Sequence, residues 1–373
     1  MIVVLYILIY LLLFFLIIQE DTKKNNRLIV SINSGLNLLL LFIIIGSATF
    51  NNDWIAYEEL FYVIKPTYDL LYLFGFQFFR SLNLTFLDFY IWNQVLIYLL
   101  LLFFITRFTS KYLFLIVIAI LVVACPNLSI LLRFYTSVAF FLVAVYNLKV
   151  SNNRFVGYLF LLLAAISHFG TIILLGVFLI FKYFKIERSI KSILVIAFAL
   201  LFLKEILFAL ITLLGIGSFS IYITEEEVST LKGGLMVALP YLPWMFFVYW
   251  KHRKLLTNNS EIKTDKKYVF LYQLSLFPFF LIVLGIYTQI IQHRYVEPFS
   301  IVWCTYLFYS LRYEESKLKR FLGGITILTL ILVSFYLKYF LPLILIGRSE
   351  WLLYYLQILN SNAFEIFKIA DFN

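Results

Sequence analysis

The stretch RFVGYLFLLLAAISHFGTIILLGVFLIFKYFKIERSIK, residues 154–191, carries no Lys, Arg, Asp or Glu between Phe155 and Phe181 and ends in a run of bases. Read as one helix, it would place Lys149 and Arg154 on one side of a bilayer and Lys182, Lys185, Arg188 and Lys191 on the other. Read as two segments, Phe155–Ser167 and Phe169–Phe181, turning at Ser167-His168-Phe169-Gly170, it keeps both basic clusters on one side. Cytoplasmic loops are enriched in Lys and Arg, which favours the second reading. Each segment then has roughly 13 residues, about 20 Å of helix against about 30 Å of hydrocarbon. The turn is therefore expected below the outer surface, in a protein-lined depression, because irregular backbone is not tolerated against lipid. That places the imidazole of His168 at depth.

The rest of the chain agrees with a membrane setting. Its 373 residues are 63% hydrophobic and only 13% charged, with 42 Phe, 27 Tyr and 6 Trp, and the mean hydropathy is +0.97. A soluble domain has about 25% charged residues. Further apolar runs are Ile2–Ile18, Leu28–Ile45, Phe86–Ile105, Tyr112–Ala124, Ser129–Leu148, Ser192–Leu214, Leu235–Trp250, Tyr268–Ile286, Val296–Leu311 and Phe321–Leu341. The expected fold is an all-α polytopic membrane protein with about 11–12 transmembrane helices. Short or re-entrant pieces are expected around His168 and in the first outer loop. The first run has no basic leader and no small-residue cleavage site, and reads as a retained anchor. One integral membrane domain covers 1–373, with an outer loop and interfacial helix at 46–85, a cytoplasmic loop at 251–267 and an outer tail at 342–373. The two cysteines, Cys125 and Cys304, provide neither a disulfide scaffold nor a zinc cluster.

With the N-terminus outside, the inner loops collect 21 of the 30 basic residues and seven of the 20 acids. The net charge of +10 is thus a topology signal and not a nucleic-acid footprint. Lys204-Glu205 is read as the charged pair inside a candidate span. His252, among inner-loop bases, is read as part of the topology signal, and the run Glu225-Glu226-Glu227 as a solvated loop.

The outer side then gathers four polar groups. The first is FNNDWIAYEELFY, residues 50–62, with Asp53, Trp54, Tyr57, Glu58 and Tyr62; Asp53 and Tyr57 share a face if the segment is helical. An aromatic belt with solvated acids is the alternative. The second is Arg133, about one turn into a span, after Cys125-Pro126-Asn127 breaks the helix before it. Such an arginine faces a cavity or partner, or snorkels to headgroups. Ser137 lies one turn further on the same face. The third is His168, a buried base or a satisfied packing residue. The fourth is YTQIIQHRYVEPFS, residues 287–300, with Gln289, Gln292, His293, Arg294, Tyr295 and Glu297; Arg294 and Glu297 could form an internal i, i+3 ion pair. No P-loop, GxGxxG, HExxH, Asp-x-Asp or Gly-x-Ser-x-Gly occurs, so ATP-driven transport, zinc proteolysis and serine hydrolysis lose support.

In this order the features resemble the EpsG family of bacterial polysaccharide polymerases, related in role to Wzy-type polymerases. The resemblance covers roughly residues 50–310. Asp53 and Tyr57 match an Asp-x-x-x-Tyr motif. Arg133 matches the first member of an Arg-Gln pair whose glutamine is here Phe134. His168 in Ala-Ala-Ile-Ser-His-Phe-Gly matches a histidine between two short helices, and Arg294-Tyr295 matches a late basic-aromatic motif.

The resemblance implies a glycosyltransferase that polymerises undecaprenyl-diphosphate-linked oligosaccharide repeat units at the outer face of the cytoplasmic membrane, for exopolysaccharide, capsule or O-antigen. Donor and acceptor would both be lipid-linked. The lipid bilayer and other polysaccharide-assembly proteins would be partners, with no nucleic acid, no cofactor and no metal. Arg133 and Arg294 would clamp the diphosphate, since guanidinium forks suit phosphate. His168, or else Asp53, would be the base. Trp54, Tyr57 and Tyr62 would stack on sugars, with Ser137, Gln292 and Tyr295 as further substrate contacts. The rival readings are an integral O-acyltransferase, which also uses a buried histidine, and a transporter or flippase for lipid-linked sugars.

Overall fold

The computed structural model describes residues 53–63, 69–109, 111–184, 231–285, 292–347 and 349–360. The expected spans Ile2–Ile18, Leu28–Ile45 and Ser192–Leu214 lie outside the described residues, as do Lys204-Glu205, Glu225–Glu227 and the last residues of the tail. Among the described residues there is no strand, and three helices are long and apolar enough to cross a membrane: Phe86–Thr106, Leu132–Ser151 and Lys317–Leu345. The protein is an all-α membrane protein.

Two compact units divide the chain. The first comprises residues 1–121, 125–169 and 350–373, the second residues 122–124 and 170–349. In the first unit, α1 is Trp54–Tyr62, α2 Leu70–Ser81, α3 Phe86–Thr106, α4 Leu113–Ile130, α5 Leu132–Tyr146, extended by a π-helical turn to Ser151, and α6 Arg154–Ser167. Helix α5 is the centre. Every one of its residues except Arg133 is buried, as expected for a helix apolar on all faces. Helix α6 lies close along it. A Cβ on Gly157 would meet the Leu148 side chain at 2.6 Å, so only glycine permits that approach.

Rings hold α1, α2 and α3 together. Phe76 meets Phe89 edge-on at 4.7 Å and Phe61 at 5.4 Å, geometry that suits the ring quadrupoles. Helix α3 begins with a capping box in which Thr85 and Asp88 each satisfy the other's backbone N–H. Helix α2 buries Tyr72 and Phe76 and exposes Phe74 and Phe78, the two-faced pattern of an interfacial helix.

Pro126 does not end its helix, contrary to the sequence expectation. Helix α4 runs on to Ile130, and the break falls at Leu131, whose φ/ψ of −84°/54° is non-helical. A proline within an apolar helix is tolerated when neighbours satisfy the backbone groups it frees. Arg133 is consequently the second residue of α5, in its first turn.

In the second unit, α7 is Thr171–Phe184, α8 Leu231–Ala238, α9 Leu242–Asn258, α10 Lys266–Ser275, α11 Phe277–Gly285, α12 Ser300–Ser310, α13 Lys317–Phe335 and α14 Leu341–Ile346. A last helix, α15 (Glu350–Asn360), returns to the first unit. Helix α12 is buried along its whole length. Trp303 stacks on Trp244 at 6.2 Å and donates its indole N–H to the Ser275 carbonyl. The stretch expected as an inner loop is largely ordered: α9 continues through Lys251 to Asn258, and a short 3-10 turn, Ser260–Lys263, leads into α10.

Lys251 pairs with Glu314. Asp265 caps α10 through the N–H groups of Lys267 and Tyr268, and accepts the hydroxyls of Tyr309 and Tyr313. His252 lies flat against Tyr272, with Nδ1 3.2 Å from the Tyr268 hydroxyl.

Candidate active site

Helix α6 stops at Ser167 and α7 begins at Thr171, so the expected break at Ser167-His168-Phe169-Gly170 is present. His168 takes extended backbone, φ −157° and ψ 122°, which lifts its ring off the helix axis. Phe134 of α5 meets that ring edge-on at 5.5 Å. The side chain is mostly enclosed, with 17% of its surface accessible.

Three elements of the first unit converge on one carboxylate, that of Asp69. Its Oδ2 accepts Arg133 NH1 at 2.6 Å and lies 3.4 Å from His168 Nδ1. Its Oδ1 accepts the Phe169 main-chain N–H at 3.0 Å. Asp69 stands at the N-cap of α2, and its main-chain carbonyl takes the N–H groups of Tyr72 and Leu73. Its side chain forms no cap, although aspartate at this position ordinarily caps. The carboxylate is committed elsewhere, the pattern of a residue placed for a task other than local stability.

Burial works to raise the Asp69 pKa. The hydrogen bond with His168, the charge of Arg133 and the Phe169 N–H outweigh it and hold the carboxyl below its ordinary value. Asp69 is therefore an anion at neutral pH. A carboxylate facing Nδ1 favours the tautomer that carries its proton there and leaves the Nε2 lone pair free.

The Arg133 guanidinium lies 5.1 Å from the Tyr57 ring centroid and also hydrogen-bonds that side chain. Its Nε is buried with no acceptor among the described residues, an orphan that calls for an explanation. Yet 27% of the side chain is accessible, against 6% of Asp69. The group is thus anchored on one edge and reachable on another. Beneath it, the Tyr72 hydroxyl and Asn93 Nδ2 meet Thr136 Oγ1 at 2.9 and 3.0 Å, closing the polar layer.

Of the residues read from sequence, the structure brings Tyr57, Arg133 and His168 together around Asp69. Asp53 stands at the N-cap of α1, its carbonyl accepting the Tyr57 N–H at 2.9 Å. Trp54 packs on Phe86 and Tyr90 at 4.8 and 5.0 Å. Tyr62 is exposed and Ser137 fully buried.

Gln292, Arg294 and Tyr295 belong to a π-helical turn of the second unit, Gln292–Val296. Arg294 is half-buried there. The Tyr295 hydroxyl donates to the Gly170 carbonyl at 3.0 Å. Glu297, expected to pair within its own turn, holds Lys338 at 2.7 Å and the Tyr241 hydroxyl at 2.9 Å. Lys338 also donates to the Val123 carbonyl at 2.7 Å, in the helical turn before Pro126. Lys338 lies inside the third long helix, Lys317–Leu345, so a span carries charge besides the expected Lys204-Glu205, which lie outside the described residues.

Sequence reading missed Asp69. The available signal was a lone acid opening the otherwise uncharged LLYLFGFQFF, since an ionisable group in apolar surroundings is a functional candidate by default. Among the described residues no group of three His, Cys, Asp or Glu side chains could hold a metal ion.

A buried guanidinium, imidazole and carboxylate sharing one oxygen, set in an all-α membrane scaffold, define a membrane protein with an enclosed polar site. The family model of the EpsG family matches residues 35–356, and the chain belongs to that family. Membership points to a membrane polysaccharide polymerase. No curated protein and no solved structure matches.

Proposed function

We propose that the protein is a glycosyltransferase that joins lipid-linked oligosaccharide repeat units into a surface polysaccharide. Donor and acceptor ride on undecaprenyl diphosphate, and the reaction takes place at the outer face of the cytoplasmic membrane. The observation that carries the reading is the Arg133–Asp69–His168 cluster, in which a half-satisfied guanidinium and a base-competent imidazole lie on one carboxylate.

Arg133 binds a diphosphate oxygen through its reachable edge and stabilises the charge left on the departing lipid diphosphate. His168 Nε2 takes the proton of the acceptor hydroxyl. The acceptor oxygen then bonds to the anomeric carbon as its bond to the diphosphate oxygen breaks, with inversion, and the lipid diphosphate keeps the electron pair. Asp69 holds the imidazole in its working tautomer and steadies the imidazolium that forms. Asp53 binds a sugar hydroxyl or serves as a second acceptor of the proton.

Trp54 and the exposed Tyr62 offer faces to the sugars, and the buried Tyr57 backs the Arg133 guanidinium. Other assembly proteins of the surface polysaccharide are the partners.

The test is reconstitution in vesicles with a lipid-diphosphate-linked repeat unit, read as a ladder on a gel. Wild type builds chains, while Arg133→Ala and His168→Ala leave single units. Full ladders from both variants would overturn the proposal.

A further inference from the structure

We propose that Asp69 is a resting counter-ion which the donor's diphosphate displaces from Arg133, and that the displaced carboxylate turns to His168 and arms it as the base. The inference rests on the diphosphate reading above and adds a coupling between donor binding and base activation. Asp69 is here a positioning residue that acts through its two neighbours.

The geometry gives the carboxylate two partners and a pivot. Oδ2 stands 2.6 Å from Arg133 NH1 but 3.4 Å from His168 Nδ1. At rest, then, the shorter contact is to the arginine and the longer one to the histidine. Oδ1 is fixed by the Phe169 N–H, the residue next to His168, so Oδ2 can swing toward the imidazole without losing that hold. The α2 cap does not oppose the swing, because the side chain makes no cap hydrogen bond.

The charges set the direction of exchange. At rest one guanidinium and one carboxylate balance. A sugar diphosphate lipid brings two negative charges to the same guanidinium, and like charges sharing one cation in an enclosed site repel strongly. Arg133 is the more accessible partner, at 27% against 6% for Asp69, so an incoming phosphate reaches the guanidinium before it reaches the carboxylate. Once released, Asp69 gains most beside an imidazole that is about to accept a proton, as a carboxylate–imidazolium pair. Without a donor, Asp69 stays on Arg133.

The test uses the full-length protein in lipid nanodiscs, with farnesyl diphosphate as the binding probe and the vesicle polymerisation assay for turnover. Asp69→Asn and Asp69→Ser both remove the competing charge, and serine is a favoured N-cap that preserves α2. Both variants are expected to bind the probe more tightly, by roughly tenfold, an ordinary size for coupled sites. Both should also show a lower donor KM with a turnover number at least about tenfold lower. In an Arg133→Gln background, the Asp69→Asn gain in affinity should vanish. Unchanged or weaker binding by both neutral variants, or unchanged turnover, overturns the displacement model. If instead Arg133→Gln alone binds the probe as wild type does, the diphosphate assignment itself fails, and the two failures are told apart.

Discussion

The Asp69 carboxylate accepts the main-chain N–H of Phe169 at 3.0 Å, across 100 residues of sequence. This bond ties the N-cap of an amphipathic helix to the position after His168, and it holds the carboxylate by a main-chain contact separate from Arg133 and His168. On the proposed function, activity would depend on α2 keeping its place beside His168 as much as on the histidine itself.

Replacing His168 by glutamine keeps a polar group of similar reach but removes the base. Turnover should fall by about 10²–10⁴-fold, with the donor KM changed little. Initial rates of polymer formation in vesicles at several donor concentrations check the split.

Arg133→Lys keeps the charge and loses the fork. An ammonium is a point charge that cannot hold Asp69 and a phosphate oxygen on separate edges. The donor KM should rise by roughly tenfold or more, as expected for a lost charge-assisted hydrogen bond, and the lysine should not rescue the alanine variant in the same assay.

Lys338 is 7% and Glu297 0% exposed in their side chains, so removing one leaves a buried charge. Lys338→Met should cost about 3–5 kcal/mol, and it also strips the Val123 carbonyl of its donor. The double variant Lys338→Met/Glu297→Gln should recover much of that loss. Thermal unfolding in detergent, followed by tryptophan fluorescence, measures both.

Gly157→Val drives a side chain into Leu148, where a Cβ already falls 2.6 Å from two of its atoms. Overpacking of this kind costs about 1–3 kcal/mol. Adding Leu148→Ala should return most of the lost stability, measured by the same unfolding curves.

Burial, reinforced by the charge of Arg253, pushes the His252 imidazole down to about 4. As pH falls below the ordinary value of about 6.5, the unfolded chain takes up a proton that the folded one refuses. The contribution to stability is complete above that value and is lost on the way down to about 4. The melting temperature should drop between pH 7.5 and pH 5, and His252→Phe, which keeps the ring stack on Tyr272, should flatten the drop.

The membrane class, the helical fold, the two short helices about His168 and the candidacy of Arg133 were all legible in the sequence. Each depends on hydropathy or on the sidedness of Lys and Arg, which are local properties summed along the chain. The start of α5 at Leu132 was not, because Pro126 was read as a helix stop and α4 continues through it. Asp69 was hidden for a different reason. A single acid before an apolar helix looks like a cap in sequence, and only the packing of α2 against α5 and α6 turns its side chain to Arg133, His168 and Phe169. Lys338 and Glu297 likewise find each other over 41 residues. Long-range pairs of buried charge are decided by which faces meet in three dimensions, and a one-dimensional pattern does not encode that meeting.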